Sequence, residues 1–149
     1  MAVFNSFVIS ASGLTAERLR MDVISNNIAN VNTTRTELGG PYKRQRVIFE
    51  PRGDKLQFLF PAIFDKSKRS GQLSGVRVTQ IIDDPSPPNL VYDPGHPDAD
   101  KDGYVAMPNV SIVKEMVDMI SATRAYEANV TAINDAKTMA ARAMDIMKI

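Results

Sequence analysis

The feature that most constrains this fold is where the helix-breaking residues lie. All nine prolines, and every glycine except Gly13, fall between Gly39 and Pro108. Proline removes a backbone donor and clashes with the preceding turn of a helix, and glycine loses more backbone entropy there than other residues do. The stretches before Gly39 and after Pro108 are therefore helix candidates, and the middle of the chain is not.

Three segments follow from this distribution. We predict an N-terminal helix over residues 1–34, a middle segment over residues 35–108 with short β-strands and extended loops, and a C-terminal helix over residues 109–149. The predicted fold class is mainly α with a small β-containing middle. At 149 residues the chain is long enough to bury a core of its own.

An apolar seam runs along the C-terminal segment. A heptad template, with alternating steps of four and three residues, fits when it starts at Ile112. Its positions are apolar except for one threonine and one lysine: Ile112, Met116, Met119, Thr123, Tyr126, Val130, Ile133, Lys137, Ala140, Met144 and Met147. Val113, Val117 and Ile120 widen the stripe at its start, as in a helix that touches more than one neighbour. Asn109 is predicted to cap this helix, because its side chain can accept from the N–H groups of the first turn.

The N-terminal segment carries a similar seam with one interruption. Its positions are Phe4, Phe7, Ala11, Leu14, Arg18, Met21, Ile24, Ile28 and Val31. Two consecutive steps of three residues, from Arg18 to Ile24, indicate a local change of register. The segment ends in the run NNIANVNTT, whose side chains compete for backbone hydrogen bonds and favour caps and turns.

Three stretches of the middle segment are typical of short strands. RVIFE (46–50), KLQFLF (55–60) and GVRVTQII (75–82) are rich in β-branched and aromatic residues and are bounded by Gly, Pro or Asp. Residues 83–108, with DPSPPN and DPGHPD, are predicted to be turn and extended chain.

Two helices of one chain can pair and bury one seam, but not more. The face around Val113, Val117 and Ile120 then needs a partner outside the chain, and methionine adapts to uneven neighbours. A self-contained helical hairpin is the alternative to terminal helices that form a coiled-coil layer in a helical assembly. The expected assembly interface is Phe4, Phe7, Leu14, Met21, Ile28, Ile112, Met116, Met119, Tyr126, Val130, Ile133 and Met144.

Two long motifs resemble those of bacterial flagellar rod and hook proteins. They are SASGLTAERLRMDVISNNIANVNTTRT near the start and NVSIVKEMVDMISATRAYEANVTAIND near the end. PYKRQRVIFEP and YDPGHPDADKDGYVAMPNV resemble, more particularly, the proximal-rod members of this family. ELGGPYKRQR stands where the family usually has a glycine-aromatic-lysine stretch, which fits the proximal rod better than the distal rod or the hook.

The resemblance implies a structural subunit of the flagellar basal-body rod. Its terminal helices would polymerise into a drive shaft that transmits torque and lines the export channel. The implied partners are other copies of the chain, other rod proteins and the flagellar type III export apparatus. The chain would reach a periplasm-spanning rod without a cleavable signal peptide. Another axial rod protein of the same family is the alternative.

The stretch DADKDGY reproduces the start of a calcium loop. Asp98, Asp100 and Asp102 alternate and Gly103 follows, as at positions 1, 3, 5 and 6 of an EF-hand. Position 12 is Asn109 rather than a glutamate, and no helix signal precedes the loop. A calcium-binding module is therefore the weaker alternative. We expect the loop to turn the chain into the C-terminal helix and its acidic charge to meet a neighbour.

Charge is unevenly placed along the chain. Residues 35–69 hold nine Lys or Arg against four Asp or Glu, whereas residues 83–102 hold six Asp against one Lys. We expect these two segments to attract each other.

Composition argues against several other functions. The net charge is +1 and the KRQR cluster has one aromatic neighbour, Tyr42, so nucleic acid is not an expected partner. The chain has no cysteine and one histidine, His96, so no catalytic residue, metal site or cofactor is expected. No run approaches the roughly 18 apolar residues of a spanning helix, so direct membrane insertion is not expected either.

Overall fold

Six elements make up the described part of the chain. The structure, a computed structural model, describes residues 2–37, 39–52 and 75–146, without the side chains of residues 2–4. In chain order the elements are α1 (Ala2–Ala29), β1 (Gln45–Pro51), β2 (Val76–Asp83), β3 (Asn89–Tyr92), β4 (Tyr104–Met107) and α2 (Ile112–Ile146). The two long helices and the small β-containing middle confirm the predicted fold class. Within these ranges, no helix has the length and apolar character needed to cross a membrane.

The two helices lie side by side and run in opposite directions. The backbone of Gly13 approaches the side chain of Asn129 near the middle of both helices, and Asn27, near the end of α1, hydrogen-bonds Glu115, near the start of α2. Residue numbers therefore rise along α1 as they fall along α2. A Cβ atom on Gly13 would lie 2.9 Å from Nδ2 of Asn129, so the glycine allows the helices to come this close.

The seam of α2 within the chain matches the prediction at some positions and differs at others. The predicted positions that are partly buried are Met119, Tyr126, Val130, Ile133 and Ala140. Those that are exposed are Ile112, Met116, Thr123, Lys137 and Met144, and Met147 lies outside the described residues. The fully buried positions are instead Glu115, Ala122 and Ala136. Each of these three positions precedes a template position by one residue, so the side of α2 that is buried within one chain is rotated from the predicted seam.

Two separate antiparallel hairpins form the middle. β1 pairs with β2, with an irregularity between Ile48 and Phe49, and this pair confirms the strands predicted at RVIFE and GVRVTQII. The predicted strand KLQFLF lies outside the described residues. β3 pairs with β4, so the prediction of turn and extended chain over residues 83–108 is wrong for nine of them: Asp83, which ends β2, and four in each of β3 and β4. Strands this short, beside prolines, leave little periodicity to detect.

The start of α2 also differs from the prediction. The helix begins at Ile112, and the carbonyl of Ser111 accepts from the N–H of Glu115 at 3.0 Å. Asn109 therefore does not cap it. Its Oδ1 accepts from the backbone N–H of Arg44 at 2.9 Å, and its Nδ2 donates to the carbonyl of Ser86 at 3.2 Å. The side-chain oxygen that could have capped the helix accepts instead from the backbone of Arg44, which is far away in the sequence.

The apolar core is thin, and polar side chains are buried beside it. Its buried apolar members are small or medium-sized: Ala16, Val23, Ile24, Val105, Val110, Ala122 and Ala136. The buried polar residues are Ser12, Asn27 and Glu115. Burial of a polar group costs free energy unless it is hydrogen-bonded, so the partners of these side chains decide how the elements fit together.

Candidate assembly surface

A buried polar cluster, made of Asn27, Tyr42, Arg44 and Glu115, joins both helices to the start of β1. Nε of Arg44 donates to Oε1 of Glu115 at 2.6 Å. The other carboxylate oxygen of Glu115, Oε2, accepts from Nδ2 of Asn27 at 3.0 Å. Glu115 is completely buried, so these two contacts replace the water that its carboxylate has lost.

The side-chain amide of Asn27 also pairs with the backbone of Gln45, in the way that the backbone of a neighbouring strand would. Its Oδ1 accepts from the N–H of Gln45 at 2.9 Å, and its Nδ2 donates to the carbonyl of Gln45, also at 2.9 Å. The hydroxyl of Tyr42 donates to the same Oδ1 at 2.9 Å. Burial, followed by the charges of Asp83 and Glu115, raises the pKa of Tyr42 above its usual value.

Arg44 also reaches acidic residues outside the cluster. Its guanidinium lies 3.4 Å from Oδ2 of Asp118 on α2 and 3.6 Å from Oδ2 of Asp84 after β2. Arg46 lies 3.7 Å from the same Asp84 oxygen. Side-chain and backbone hydrogen bonds from Ser86, with smaller effects of Arg46 and Arg44, lower the pKa of Asp84. The predicted attraction between the basic and acidic segments is confirmed at this carboxylate.

The first turns of α2 also present an exposed apolar surface. We call it the α2 apolar face, and its members are Ile112, Val113, Met116, Val117 and Ile120, each between 47% and 73% exposed. Successive helical residues are rotated by about 100°, so Val113 and Val117 point roughly away from Glu115. The buried cluster holds one side of the first turns of α2 and thereby fixes the other side outward.

Comparison with known proteins identifies the family. A model described as "Flagella basal body rod protein" matches residues 8–35, and "Flagellar basal body rod FlgEFG protein C-terminal" matches residues 101–146. The chain is 55% identical over 152 aligned positions to the FlgC rod protein of Borreliella burgdorferi, covering 99% of each chain. The chain belongs to the FlgC family of flagellar basal-body rod proteins. Family membership makes it a structural subunit of the bacterial flagellar rod.

More distant FlgC proteins align over almost the same length. The Bacillus subtilis protein is 47% identical, with 99% of this chain and 100% of the relative covered. The Escherichia coli O6:H1 protein is 38% identical, with 93% of each chain covered. The two family models include Asn27 and Glu115, whereas Arg44 lies between them. The Borreliella burgdorferi and Bacillus subtilis relatives, which align over 99% of this chain, also span the segment that holds Arg44.

The structure places the predicted interface residues of this FlgC-family chain in two environments. Those that are partly buried in the single chain are Phe7, Leu14, Met21, Ile28, Met119, Tyr126, Val130 and Ile133. Those that are exposed are Ile112, Met116 and Met144. The side chain of Phe4 lies outside the described residues.

Sequence reasoning missed the buried polar cluster. Asn27 falls in the run NNIANVNTT, which is predicted to favour caps and turns, Arg44 falls in the KRQR cluster, and Glu115 has no predicted role. The one available signal is Glu115 itself, a charge that lies three residues after Ile112 and four residues before Met119, so that it shares a helix side with two apolar positions. That signal does not name its partners, because Arg44 lies 71 residues away.

The aspartate loop lies in a setting that differs from a calcium loop. It connects β3 to β4, so strands rather than helices flank it, and β4 separates it from α2. Oδ2 of Asp98 accepts from Oγ1 of Thr34 at 2.8 Å, and Oδ1 of Asp100 accepts from the N–H of Lys101 at 2.8 Å. In the residues that the structure describes, no three His, Asp or Glu side chains are grouped so as to hold a metal ion. The expectation that this loop turns the chain directly into the helix is wrong, because it closes a hairpin.

Proposed function

We propose that the chain polymerises through its terminal helices, with copies of itself and with other rod proteins, into the proximal part of a shaft. The shaft transmits torque and lines the export channel. The chain works without catalysis and without a cofactor, which is supported by the structural role of its family.

The observation that carries this proposal is the α2 apolar face. Five large apolar side chains lie within three turns of one helix, and all are exposed in the single chain. Full burial of such a side chain contributes about 1.5–3 kcal/mol relative to full exposure. An exposed surface of this kind marks a site where another protein packs.

The buried polar cluster supports the mechanical part of the proposal. It joins Asn27 of α1 and Arg44 to Glu115 of α2 through charge-assisted hydrogen bonds, which are shorter and stronger than neutral ones. Neutral hydrogen bonds between Asn27 and Gln45 join α1 to the start of β1. A subunit that carries torque must keep its outward surfaces in a fixed orientation relative to one another under load. The cluster fixes the orientation of the first turns of α2, which carry the α2 apolar face.

The proposal includes the route and the location of the protein. The chain is exported by the flagellar type III apparatus in unfolded form and joins a rod that spans the periplasm. The absence of cysteine supports this route, because no disulfide needs to form or break on the way.

The test is to place charge on the α2 apolar face. Val113→Asp and Val117→Asp are expected to prevent rod assembly and motility, while the purified chain keeps its helix content and unfolding midpoint, because both side chains are exposed. Val117→Leu keeps the face apolar and serves as the control. Normal rods in cells that carry both aspartates would overturn the proposal.

A further inference from the structure

The β3–β4 hairpin presents a second exposed apolar surface. In its register Tyr92 lies opposite Tyr104, and Leu90 lies opposite Ala106. Residues directly opposite each other in an antiparallel pair share a face, and alternate residues of one strand do so too. These four residues therefore form one face of the hairpin, which we call the hairpin outer face.

The other face of the hairpin packs on the rest of the chain through Val105 of β4, whereas Val91 of β3 on the same face is 44% exposed. Val105, which lies opposite Val91, is almost completely buried. On the hairpin outer face, by contrast, Leu90 and Tyr92 are 68% and 65% exposed. The rings of Tyr92 and Tyr104 meet edge to face, with centroids 5.4 Å apart. The outward face of an antiparallel sheet normally carries polar side chains, so this aromatic and aliphatic surface indicates a partner.

Acidic residues border the hairpin outer face. The loop between the strands carries exposed Asp93, Asp100 and Asp102, against the single cation Lys101. A surface that covers the hairpin must therefore be apolar at its centre and basic at its edge.

The α2 apolar face has this composition. Lys114 follows Val113 directly and is exposed. Arg124 lies one turn beyond Ile120, and its side chain is 79% exposed and pairs with the exposed Glu127 at 3.3 Å. Both surfaces are exposed in the same chain, so neither covers the other within it. A second copy of the chain brings each surface the partner that it lacks.

We propose that the hairpin outer face of one copy packs on the α2 apolar face of the next copy, with the acidic loop beside Lys114 and Arg124. The contact joins two different surfaces, so a pair of copies still has one unused hairpin outer face and one unused α2 apolar face. The same contact can therefore be repeated along a helical or ring-shaped path. This inference rests on the proposed function, because it names the surface that covers the α2 apolar face in the rod.

Cysteine crosslinking in isolated basal bodies tests the contact. The natural chain has no cysteine, so only introduced thiols can react. With Tyr92→Cys and Val117→Cys in one chain, mild oxidation is expected to give a ladder of covalent dimers, trimers and longer species. Each single variant is expected to stay monomeric. Ile81→Cys with Val117→Cys is the matched control, because Ile81 is exposed but lies on β2, and it should give no ladder.

Every other outcome overturns the proposal. Dimers from Tyr92→Cys alone would show that the hairpins of two copies pack against each other. Crosslinks formed only to a different protein would show that another partner covers the surface. Complete rods that give no ladder would overturn the contact while the proposed function stands, since Val113→Asp and Val117→Asp test that function separately.

Charge exchange keeps the test decisive if the cysteine variants do not assemble. Asp100→Lys with Asp102→Lys is expected to abolish motility, and Lys114→Glu with Arg124→Glu in the same chain is expected to restore it. Failure of the second pair to restore motility would overturn the contact.

Discussion

Arg44 donates through Nε to Oε1 of Glu115 over 2.6 Å, and Glu115 has no exposed surface. The contact joins the residue before β1 to the first turn of α2. Asn27 of α1 occupies the second oxygen of the same carboxylate. One buried carboxylate therefore sets the relation between three elements that are far apart in the sequence.

Removal of Glu115 tests the strength of this relation. Glu115→Ala leaves the mostly buried guanidinium of Arg44 without its closest partner, and loss of one member of a buried pair costs about 3–5 kcal/mol. Urea unfolding of the purified chain measures the loss. Glu127→Ala is the control, because Glu127 pairs with Arg124 at an exposed site, where such a contact is worth less than about 1 kcal/mol. Equal losses in the two variants would contradict the structural role of Glu115.

Asn27→Asp tests the amide with almost no change of shape. The new carboxylate keeps an acceptor for the N–H of Gln45 and the hydroxyl of Tyr42 but loses the donor that reaches both Glu115 and the carbonyl of Gln45. An unpaired buried group costs about 1–3 kcal/mol, and the two carboxylates also repel each other, so we expect a loss above about 2 kcal/mol. The measurement is the unfolding midpoint in urea. Asn32→Asp, at an exposed position of the same asparagine run, should change the midpoint little.

Gly75→Ala tests the close approach of the middle segment to α1. Gly75 has φ of +84°, and a Cβ there would collide with Oγ of Ser12, which also accepts from the N–H of Val76 at 3.0 Å. Gly39 has the same φ, but nothing lies within 4 Å of its Cβ position. Left-handed backbone costs an alanine roughly 1–2 kcal/mol at either site. Gly75→Ala should therefore be more destabilising than Gly39→Ala in thermal unfolding, and equal shifts would show that the contact with Ser12 is unimportant.

The raised pKa of Tyr42 predicts that the folded chain loses stability at alkaline pH. Its pKa is raised in the folded chain, first by burial and then by Asp83 and Glu115. The unfolded chain therefore loses this proton first, at about pH 10. The contribution of Tyr42 to the free energy of unfolding is complete below that pH and is lost as the pH rises through the folded pKa. Urea titrations at increasing pH should show the stability of the natural chain converging toward that of Tyr42→Phe, whereas Tyr92→Phe should follow the natural chain throughout.

The sequence predicted those parts of the fold that depend on neighbouring residues. Prolines and glycines confined between Gly39 and Pro108 placed both helices, and β-branched runs placed β1 and β2. Each of these signals acts within a few residues of where it is read. The short strands β3 and β4 were missed because their pairing, rather than their composition, makes them strands.

The candidate assembly surface was predicted in part. Val113, Val117 and Ile120 stood out as an apolar stripe too wide for one neighbour, and the structure leaves them exposed. The hairpin outer face was not foreseen, because it exists only when Tyr92 and Tyr104 are paired. Asn109 was assigned to a local cap, whereas its acceptor is used by Arg44.

By itself, the sequence determined where the helices lie, which of their stripes are apolar, and the resemblance that the FlgC relatives confirm. Only the tertiary structure decided that Glu115 is buried, that Asn27 pairs with Gln45, and which side of α2 faces outward. The physical reason is that helix formation depends on local backbone preferences, whereas the burial of a polar side chain depends on partners that the folded chain brings from far along the sequence.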